Sequence, residues 1–330
     1  MASQVDSNNI LSLNLKLLMI AGIWCRDTIK HRRTRIFYSF YEKAVFLIIT
    51  SYNCGVFLHP FLVKQSMEDF VDSLVIFICE ILHYGKYVSI LLQKKKLTKL
   101  TVFLENNLHI QGNVISDMEK EVKQRKVALA RKITIFYFSS LCITATAMVV
   151  PVVAVVLFEY LNKNAITHEL VIWKMWIPFD YSQFPTNVIV FVYQIIATFY
   201  TGCSIIGTVN AFFMSVIVCT SLLFEMLSTS IKNAEKSPDI QLHIRNCIIY
   251  HQNILKYVWA IYIFNRLYVG FIYDDVLFQS EEVGNAAYES DWYNMPINTK
   301  NSIRMVIMRC QRRVAIATGP FGYLSMPLFA

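Results

Sequence analysis

Charged residues are absent from an unusually long part of this sequence. Between Asp180 and Glu225 there is no Asp, Glu, Lys or Arg. A helix rises about 1.5 Å per residue, so this stretch could reach roughly 66 Å, whereas the hydrocarbon core of a bilayer is about 30 Å thick. The absence of charge therefore predicts one overlong membrane helix. It begins near Pro185, since proline is tolerated in a helix's first turn, and its part beyond Asn210 must pack outside the lipid.

Charge is also scarce in the chain as a whole. Charged residues make up 16% of the sequence and hydrophobic residues 55%, which is too apolar for a protein without several segments in lipid. The net charge of +8 is concentrated in two blocks, at 26–43 and 94–132, that flank apolar runs. Basic blocks placed in this way are typical of the cytoplasmic side of a membrane protein, not of a surface that binds nucleic acid. We therefore predict an all-α membrane protein, a multi-span helical bundle.

Several signals of chemistry are missing. The eight cysteines form no C-x-x-C pair, and the chain has no N-x-S/T acceptor, Gly-rich phosphate loop, nucleophile elbow or H-E-x-x-H motif. We expect no disulfide framework, no enzymatic activity and no cofactor. His243, Cys247 and His251 follow i, i+4, i+8 spacing, which can align metal ligands on one helical face. Three ligands on one helix rarely converge on one ion, so we expect a polar contact face and no metal.

The apolar runs predict four spans with the basic loops on the inside. The N-terminal segment, residues 1–43, is polar and then basic, so we expect it in the cytoplasm. Residue 151 is a proline that we expect to interrupt the third span. The spans of this transmembrane bundle, residues 44–224, are expected at about 44–63, 71–93, 133–158 and 187–211.

The charge pattern changes after the fourth span. Within the expected cytoplasmic helical region, residues 225–273, the part from Cys247 to Tyr273 is apolar on average but contains scattered polar and charged side chains, which a span rarely tolerates. If this segment crossed the membrane, the basic residues between 300 and 313 would lie outside, against the positive-inside rule. Either it is a cytoplasmic helical region or an even number of spans is missing after it. We expect a cytoplasmic loop at 274–315 and the start of a truncated pore-type helix at 316–330.

Short motifs spread along residues 22–325 follow one another in a characteristic order. They are Gly22-Ile23-Trp24; Trp176-Ile177-Pro178-Phe179-Asp180; Cys247 with His251-Gln252 and Ile254-Leu255; Ser280-Glu281-Glu282-Val283 with Ala286-Ala287-Tyr288-Glu289-Ser290-Asp291-Trp292-Tyr293; Arg309-Cys310-Gln311-Arg312; and Thr318-Gly319-Pro320-Phe321-Gly322-Tyr323-Leu324-Ser325. In this order they resemble the insect odorant receptors, seven-helix membrane proteins with inverted topology that form ligand-gated cation channels with a co-receptor.

The resemblance implies an odorant receptor subunit in the plasma membrane of sensory neurons. It would bind a small volatile odorant and gate a non-selective cation channel as a hetero-oligomer, a tetramer with the co-receptor, in contact with membrane lipid. Family members place two further spans where Phe264 and Tyr273 are nearly adjacent here, so the chain resembles a truncated receptor that would not conduct by itself. The resemblance implies pore or subunit contacts at His251, Gln252, Tyr288, Trp292, Thr318, Gly319, Phe321, Leu324 and Ser325.

Spans two to four supply the candidate ligand site. Glu80 recurs with His83 and Lys86 on one helical face, and ionisable groups in lipid usually face a bundle interior or a cavity. Apolar walls with a few hydroxyls suit a small hydrophobic ligand, and we expect these side chains toward the outer halves of the spans. Ordinary helix packing is the other explanation of the aromatic stripe. The candidates are Phe77, Glu80, Ile81, Tyr84, Thr144, Met148, Tyr193, Ile196 and Tyr200.

Three other classes compete with an odorant receptor. A gustatory receptor of the same superfamily is the nearest alternative. A G-protein-coupled receptor is disfavoured because such receptors begin outside the cell, whereas the charge pattern places this N-terminus in the cytoplasm. A secondary transporter is disfavoured because the sequence shows neither paired broken helices nor an internal repeat.

Overall fold

The computed structural model describes residues 11–24, 32–106, 117–161, 171–181, 183, 185–265 and 273–311, and it contains helices and no strand within these ranges. This confirms the predicted all-α class. The helices are α1 (Ser12–Ile20), α2 (Arg32–Leu62), α3 (Met67–Asn106), α4 (Asp117–Leu161), α5 (Thr186–Phe199), α6 (Thr208–Lys232), α7 (Ile240–Asn265), α8 (Tyr273–Glu289) and α9 (Ile297–Cys310).

Four of the described helical stretches are long and apolar enough to cross a membrane, as the sequence predicts. The fourth of them is the overlong helix, which runs from Thr186 to Lys232 through a π-helical segment, Tyr200–Gly207, between α5 and α6. Pro185 directly precedes it. A π-helical turn inside a longer helix is uncommon and frequently occurs at functional sites.

Pro151 does not interrupt the third span, contrary to the sequence-based prediction. The α4 helix continues through this residue from Asp117 to Leu161. Proline removes one backbone hydrogen bond, but its fixed φ is compatible with a helix, and membrane helices tolerate it where local adjustments compensate for the freed carbonyl group.

The chain divides into two compact units. The first unit comprises Met1–Ser12, Lys95–Ile133 and Phe213–Ala330, and the second comprises Leu13–Lys94 and Thr134–Phe212. In the first unit, the apolar side chains of α6 are buried, including Leu222, Leu223 and Phe224. The surplus length of the overlong helix is therefore packed against protein, as its apolar composition beyond Asn210 predicts.

The segment expected to form a cytoplasmic loop, residues 274–315, is largely helical. It contains most of α8 and all of α9, which pack closely because Gly284 has no side chain: a Cβ atom there would lie 2.8 Å from the Cβ of Cys310. Val283, Ala287 and Ile303 are buried in the same unit. Small and apolar residues at i, i+3 and i+4 form a buried stripe on these helices, although their average composition is polar.

In the second unit, α2 is the central element. Its buried residues Val45, Ile49, Tyr52 and Val56 recur at helical spacing and form one continuous stripe. The α1 helix ends at Ile20, and Gly22 shortly after it has a φ of 69°, in the left-handed region that glycine adopts without strain.

Candidate functional site

An irregular segment covers one end of the helices of the second unit. We call residues 171–180 the outer segment. The buried side chain of Gln194 on α5 holds it by its backbone: the Oε1 atom accepts a hydrogen bond from the Ile172 N–H at 2.7 Å, and Nε2 donates to the Trp173 carbonyl at 3.1 Å. The indole N–H of Trp173 also donates to the Thr198 hydroxyl at 3.1 Å. Helix α5 therefore fixes the path of the outer segment.

Helix α2 holds the same segment through Gly55. The Trp176 N–H donates to the Gly55 carbonyl at 2.9 Å. A Cβ atom at residue 55 would lie 2.6 Å from Met175 Cε and 2.9 Å from the Trp176 carbonyl oxygen, so only glycine permits this approach. Beneath the segment, Met175 packs in an apolar cluster with Tyr52, Val56 and Ala197.

Aromatic rings line the contact between α2 and α3 in this unit. The ring of Phe57 meets Phe77 edge-on with centroids 5.5 Å apart, and it meets Tyr84 in the same manner at 6.1 Å. Phe77 also contacts Phe61 at 5.8 Å. We call Phe57, Phe77 and Tyr84 the aromatic cluster. Edge-to-face pairs at these distances are favourable contacts, and the cluster brings two of the predicted ligand residues together.

Two hydroxyl pairs extend this arrangement to α5. The Tyr84 and Thr50 hydroxyls are 3.1 Å apart, and the Tyr193 and Ser51 hydroxyls are 2.8 Å apart. Because Thr50 and Ser51 are adjacent, α2 connects the predicted residues of α3 with those of α5. No α2 residue is among the ligand contacts that the sequence predicts. The run Thr50-Ser51-Tyr52, three hydroxyls inside an apolar span, was the signal that could have identified it.

Glu80 lies on α3 one turn from both Phe77 and Tyr84. One of its carboxylate oxygens, Oε2, is shielded from solvent and has no hydrogen-bond partner among the described residues. The Nδ1 atom of His83, one turn further along, is in the same situation. Ionisable groups without partners in a membrane span are costly, so both side chains would gain from a polar partner.

The other predicted ligand residues are more dispersed. Ile81 is 46% exposed, Met148 39% and Ile196 49%, and Thr144 is exposed and donates its hydroxyl hydrogen to the Ser140 carbonyl of its own helix. These four side chains are exposed, whereas the rings of the aromatic cluster are half-buried. Their role as ligand contacts stays a prediction.

Tyr200 lies near the beginning of α2, and the expectation that every candidate lies toward the outer halves of the spans stays a prediction. The Tyr200 hydroxyl donates to the Ile20 carbonyl at 3.0 Å and is hydrogen-bonded to the hydroxyl of Tyr41. Tyr41 lies near the beginning of α2, beside Glu42, which pairs with Lys94. Tyr200 is at i+7 from Tyr193, so the two share a face but lie about 10 Å apart along the helix, and that distance moves Tyr200 to the basic end.

The residues predicted to form pore or subunit contacts differ in exposure. His251 is buried, whereas Gln252 is exposed and Tyr288 is 69% exposed. Trp292 is half-buried, with the Arg304 guanidinium 5.5 Å from its ring centroid. The other predicted positions lie outside the described residues: Thr318, Gly319, Phe321, Leu324 and Ser325.

The side chains that could have bound a metal have other partners. The Nε2 atom of His243 is 3.2 Å from the Ser230 hydroxyl, and the Cys247 thiol donates to the same hydroxyl at 3.7 Å. The Nε2 atom of His251 is instead 4.0 Å from the sulfur of Cys310. Within the described ranges no group of three or more potential metal ligands is found.

Acid is expected to destabilise the first unit through His251. Burial, together with the positive charge of Arg309, lowers the pKa of His251 from 6.5 to about 4. The folded state therefore disfavours the protonated ring, and stability should fall by about 3 kcal/mol as the pH is lowered from 6.5 to 4. Thermal unfolding of the purified protein measures this. The His251→Gln variant should show a shallower pH dependence, and identical curves would contradict the assignment.

Comparison with known proteins supplies a context for this geometry. A sequence model of the family described as "7tm Odorant receptor" matches residues 66–271 and 271–330. Odorant receptor 30a of Drosophila melanogaster is 30% identical over 69 residues, which span 21% of this chain and only 18% of that protein.

Solved structures show the same fold. The insect olfactory receptor OR5 from Machilis hrabei in complex with eugenol superposes with a TM-score of 0.73 at 13% identity, covering 97% of this chain and 93% of that one. A second structure of that receptor gives a TM-score of 0.73 at 14% identity.

Proposed function

This chain belongs to the 7tm odorant receptor family, and on that premise we propose that it is an odorant receptor subunit that binds small volatile hydrophobic ligands between α2, α3 and α5. The observation that carries the proposal is the pair of hydroxyl contacts, Tyr84 with Thr50 and Tyr193 with Ser51, beside the aromatic cluster. Aromatic walls with a few orienting hydroxyls are typical of sites that bind small apolar molecules.

The chemistry of the site indicates the class of ligand. The related receptor of Machilis hrabei was solved with eugenol, an aromatic ligand with a hydroxyl group. In this chain, a ring would pack against Phe57, Phe77 and Tyr84, and a ligand hydroxyl would exchange hydrogen bonds with the tyrosine hydroxyls. The unpaired Glu80 oxygen offers a further acceptor for a polar hydrogen of the ligand.

We further propose that the chain works with a co-receptor in the plasma membrane of sensory neurons, with a cytoplasmic N-terminus, as part of a non-selective cation channel. The match to the family model consists of two pieces that meet at residue 271, which supports the expectation that a segment of the family pattern is missing there. The co-receptor would then supply the complete pore. Exposed residues of the first unit, among them Gln252 and Tyr288, are available for contact with it.

Electrophysiology tests the proposal. Cells that express the chain together with a co-receptor should show a cation current evoked by eugenol or another small aromatic odorant, beyond the current of the co-receptor alone. The Tyr193→Phe variant should raise the half-maximal odorant concentration about two- to tenfold, since a net hydrogen bond contributes about 0.5–1.5 kcal/mol. Ser139→Ala is the matched control, because the exposed Ser139 hydroxyl bonds only within its own helix, to the Phe136 carbonyl.

The same recordings separate the alternatives. A current that disappears when G proteins are blocked would indicate a G-protein-coupled receptor, and one evoked only by soluble tastants would indicate a gustatory receptor. A dose–response curve that Tyr193→Phe leaves unchanged would contradict the placement of the site.

A further inference from the structure

A cavity of about 410 Å³ lies along α4 in the first unit. Its lining combines three cationic side chains with two small or apolar ones: Arg125, Lys126, Ala128, Leu129 and Lys132. These positions are related by i+3, i+4 and i+7, so they form a single stripe on one face of the helix.

The position of the stripe along α4 places it at the membrane surface. The uncharged run that the sequence predicts to enter the lipid begins at Ile133, directly after Lys132. Leu129 and Arg125 precede Ile133 by four and eight residues, or about 6 and 12 Å of helix, whereas the headgroup layer on each side of a bilayer is roughly 6 Å thick. Lys132 and Leu129 therefore lie at headgroup depth, and Arg125 lies just beyond it in water.

A carboxylate on α6 orients two of the three cations. Glu225 accepts one hydrogen bond from Arg125 at 2.6 Å and pairs with Lys126 at 3.4 Å, and Lys126 also donates to the Ser221 hydroxyl at 2.7 Å. The Arg125 side chain nevertheless remains 68% exposed. Lys132 is exposed and has no ion-pair partner in the part of the chain that the structure describes. The exposed Lys132 therefore adds a positive charge to the lining beside the two cations that Glu225 holds.

We propose that this cavity binds the headgroup of an anionic phospholipid. The headgroup sits between Lys132 and Arg125, which lie two helical turns apart, and the carbons of the headgroup contact Ala128 and Leu129. Leu129 is 42% exposed, so it offers apolar surface that a free phosphate ion would not use. Basic pockets at the cytoplasmic ends of membrane helices attract anionic lipid in this way, at about 1 kcal/mol for each Lys or Arg. The site depends on the membrane orientation of α4 and not on odorant binding.

Native mass spectrometry of the purified full chain in detergent tests the proposal. Dioctanoyl phosphatidylserine, whose headgroup carries a net negative charge, should bind more tightly than dioctanoyl phosphatidylcholine, whose headgroup is neutral overall. The Lys132→Gln variant should weaken serine-lipid binding about fivefold, the effect of one cation, while Lys132→Arg should retain it. Lys123→Gln is the matched control, because Lys123 lies on the opposite face of the same helix and its replacement removes the same charge.

Each of the following results would overturn the proposal: equal binding of the two lipids, serine-lipid binding that is unchanged in Lys132→Gln, or an equal loss of binding in Lys123→Gln. Displacement of the serine lipid by millimolar inorganic phosphate would also overturn it, since the cavity would then be a site for free phosphate. Because Lys132 is exposed, Lys132→Gln should keep the unfolding temperature of the wild-type chain, and that measurement excludes misfolding as the cause of weaker binding.

Discussion

Replacing Gln194 with leucine should detach the outer segment from α5. The carboxamide of Gln194 is fully buried and satisfies the Ile172 N–H and the Trp173 carbonyl, and leucine can satisfy neither. Each buried polar group left without a partner costs about 1–3 kcal/mol, so the combined loss should be about 3 kcal/mol. The equilibrium constant for detachment of the outer segment should therefore rise roughly a hundredfold. Hydrogen exchange of the amides of residues 172–176 should accelerate accordingly.

A second glutamine provides the control for this change. Gln93 on α3 donates only to the Ser89 hydroxyl of its own helix, so Gln93→Leu removes the same polar group without freeing the backbone of the outer segment. Exchange in the outer segment should then stay at the wild-type rate. If Gln194→Leu left that rate unchanged, the outer segment would have to be held by other contacts.

Adding a single methyl group at Gly55 should displace the outer segment from α2. The new Cβ atom would meet the Met175 methyl group at 2.6 Å, which can move, and the Trp176 carbonyl oxygen at 2.9 Å, which belongs to the backbone. Moving that backbone also strains the hydrogen bond from the Trp176 N–H to the Gly55 carbonyl. Overpacking of this kind costs about 1–3 kcal/mol, so Gly55→Ala should lower the unfolding temperature and weaken the odorant response.

Gly85→Ala should have the opposite sign. A Cβ atom at Gly85 on α3 would have no heavy atom within 4 Å, and alanine in the interior of a helix is favoured over glycine by about 0.5–1 kcal/mol. This variant should therefore keep or raise the unfolding temperature. If Gly55→Ala behaved like Gly85→Ala, the close approach of the outer segment to α2 would not exist in the folded protein.

Gln194→Leu and Gly55→Ala both test whether the outer segment covers the proposed odorant site. Gln194 and Gly55 hold it from two different helices, and the apolar cluster of Tyr52, Val56, Met175 and Ala197 lies between them. If the segment covers the site, loosening either attachment should weaken odorant binding along with local stability. A variant that accelerates exchange in the segment but keeps the odorant response would show that the cover is not required for binding.

The candidate site was only partly predictable from the sequence. Phe77, Tyr84 and Tyr193 were predicted as ligand contacts, and the structure brings them together around α2. The α2 contribution was missed because Thr50 and Ser51 are small hydroxyl residues that helices accept on any face. Helical periodicity puts Tyr200 on the same face as Tyr193, but it does not reveal the contacts of the Tyr200 hydroxyl with Tyr41 and the Ile20 carbonyl.

The sequence by itself determined the class of protein, an all-helical membrane protein. No charge lies between Asp180 and Glu225, and a helix with so long an uncharged stretch is stable in lipid. The basic blocks beside the apolar runs are typical of the loops that flank membrane helices. Only the tertiary structure decided which side chains meet. Contacts between residues distant in the chain hold the outer segment to Gln194 and Gly55 and form the hydroxyl pairs on α2. Such contacts also pack α8 against α9. Local periodicity carries no information about such contacts, because a helix presents its faces without specifying the partner that covers them.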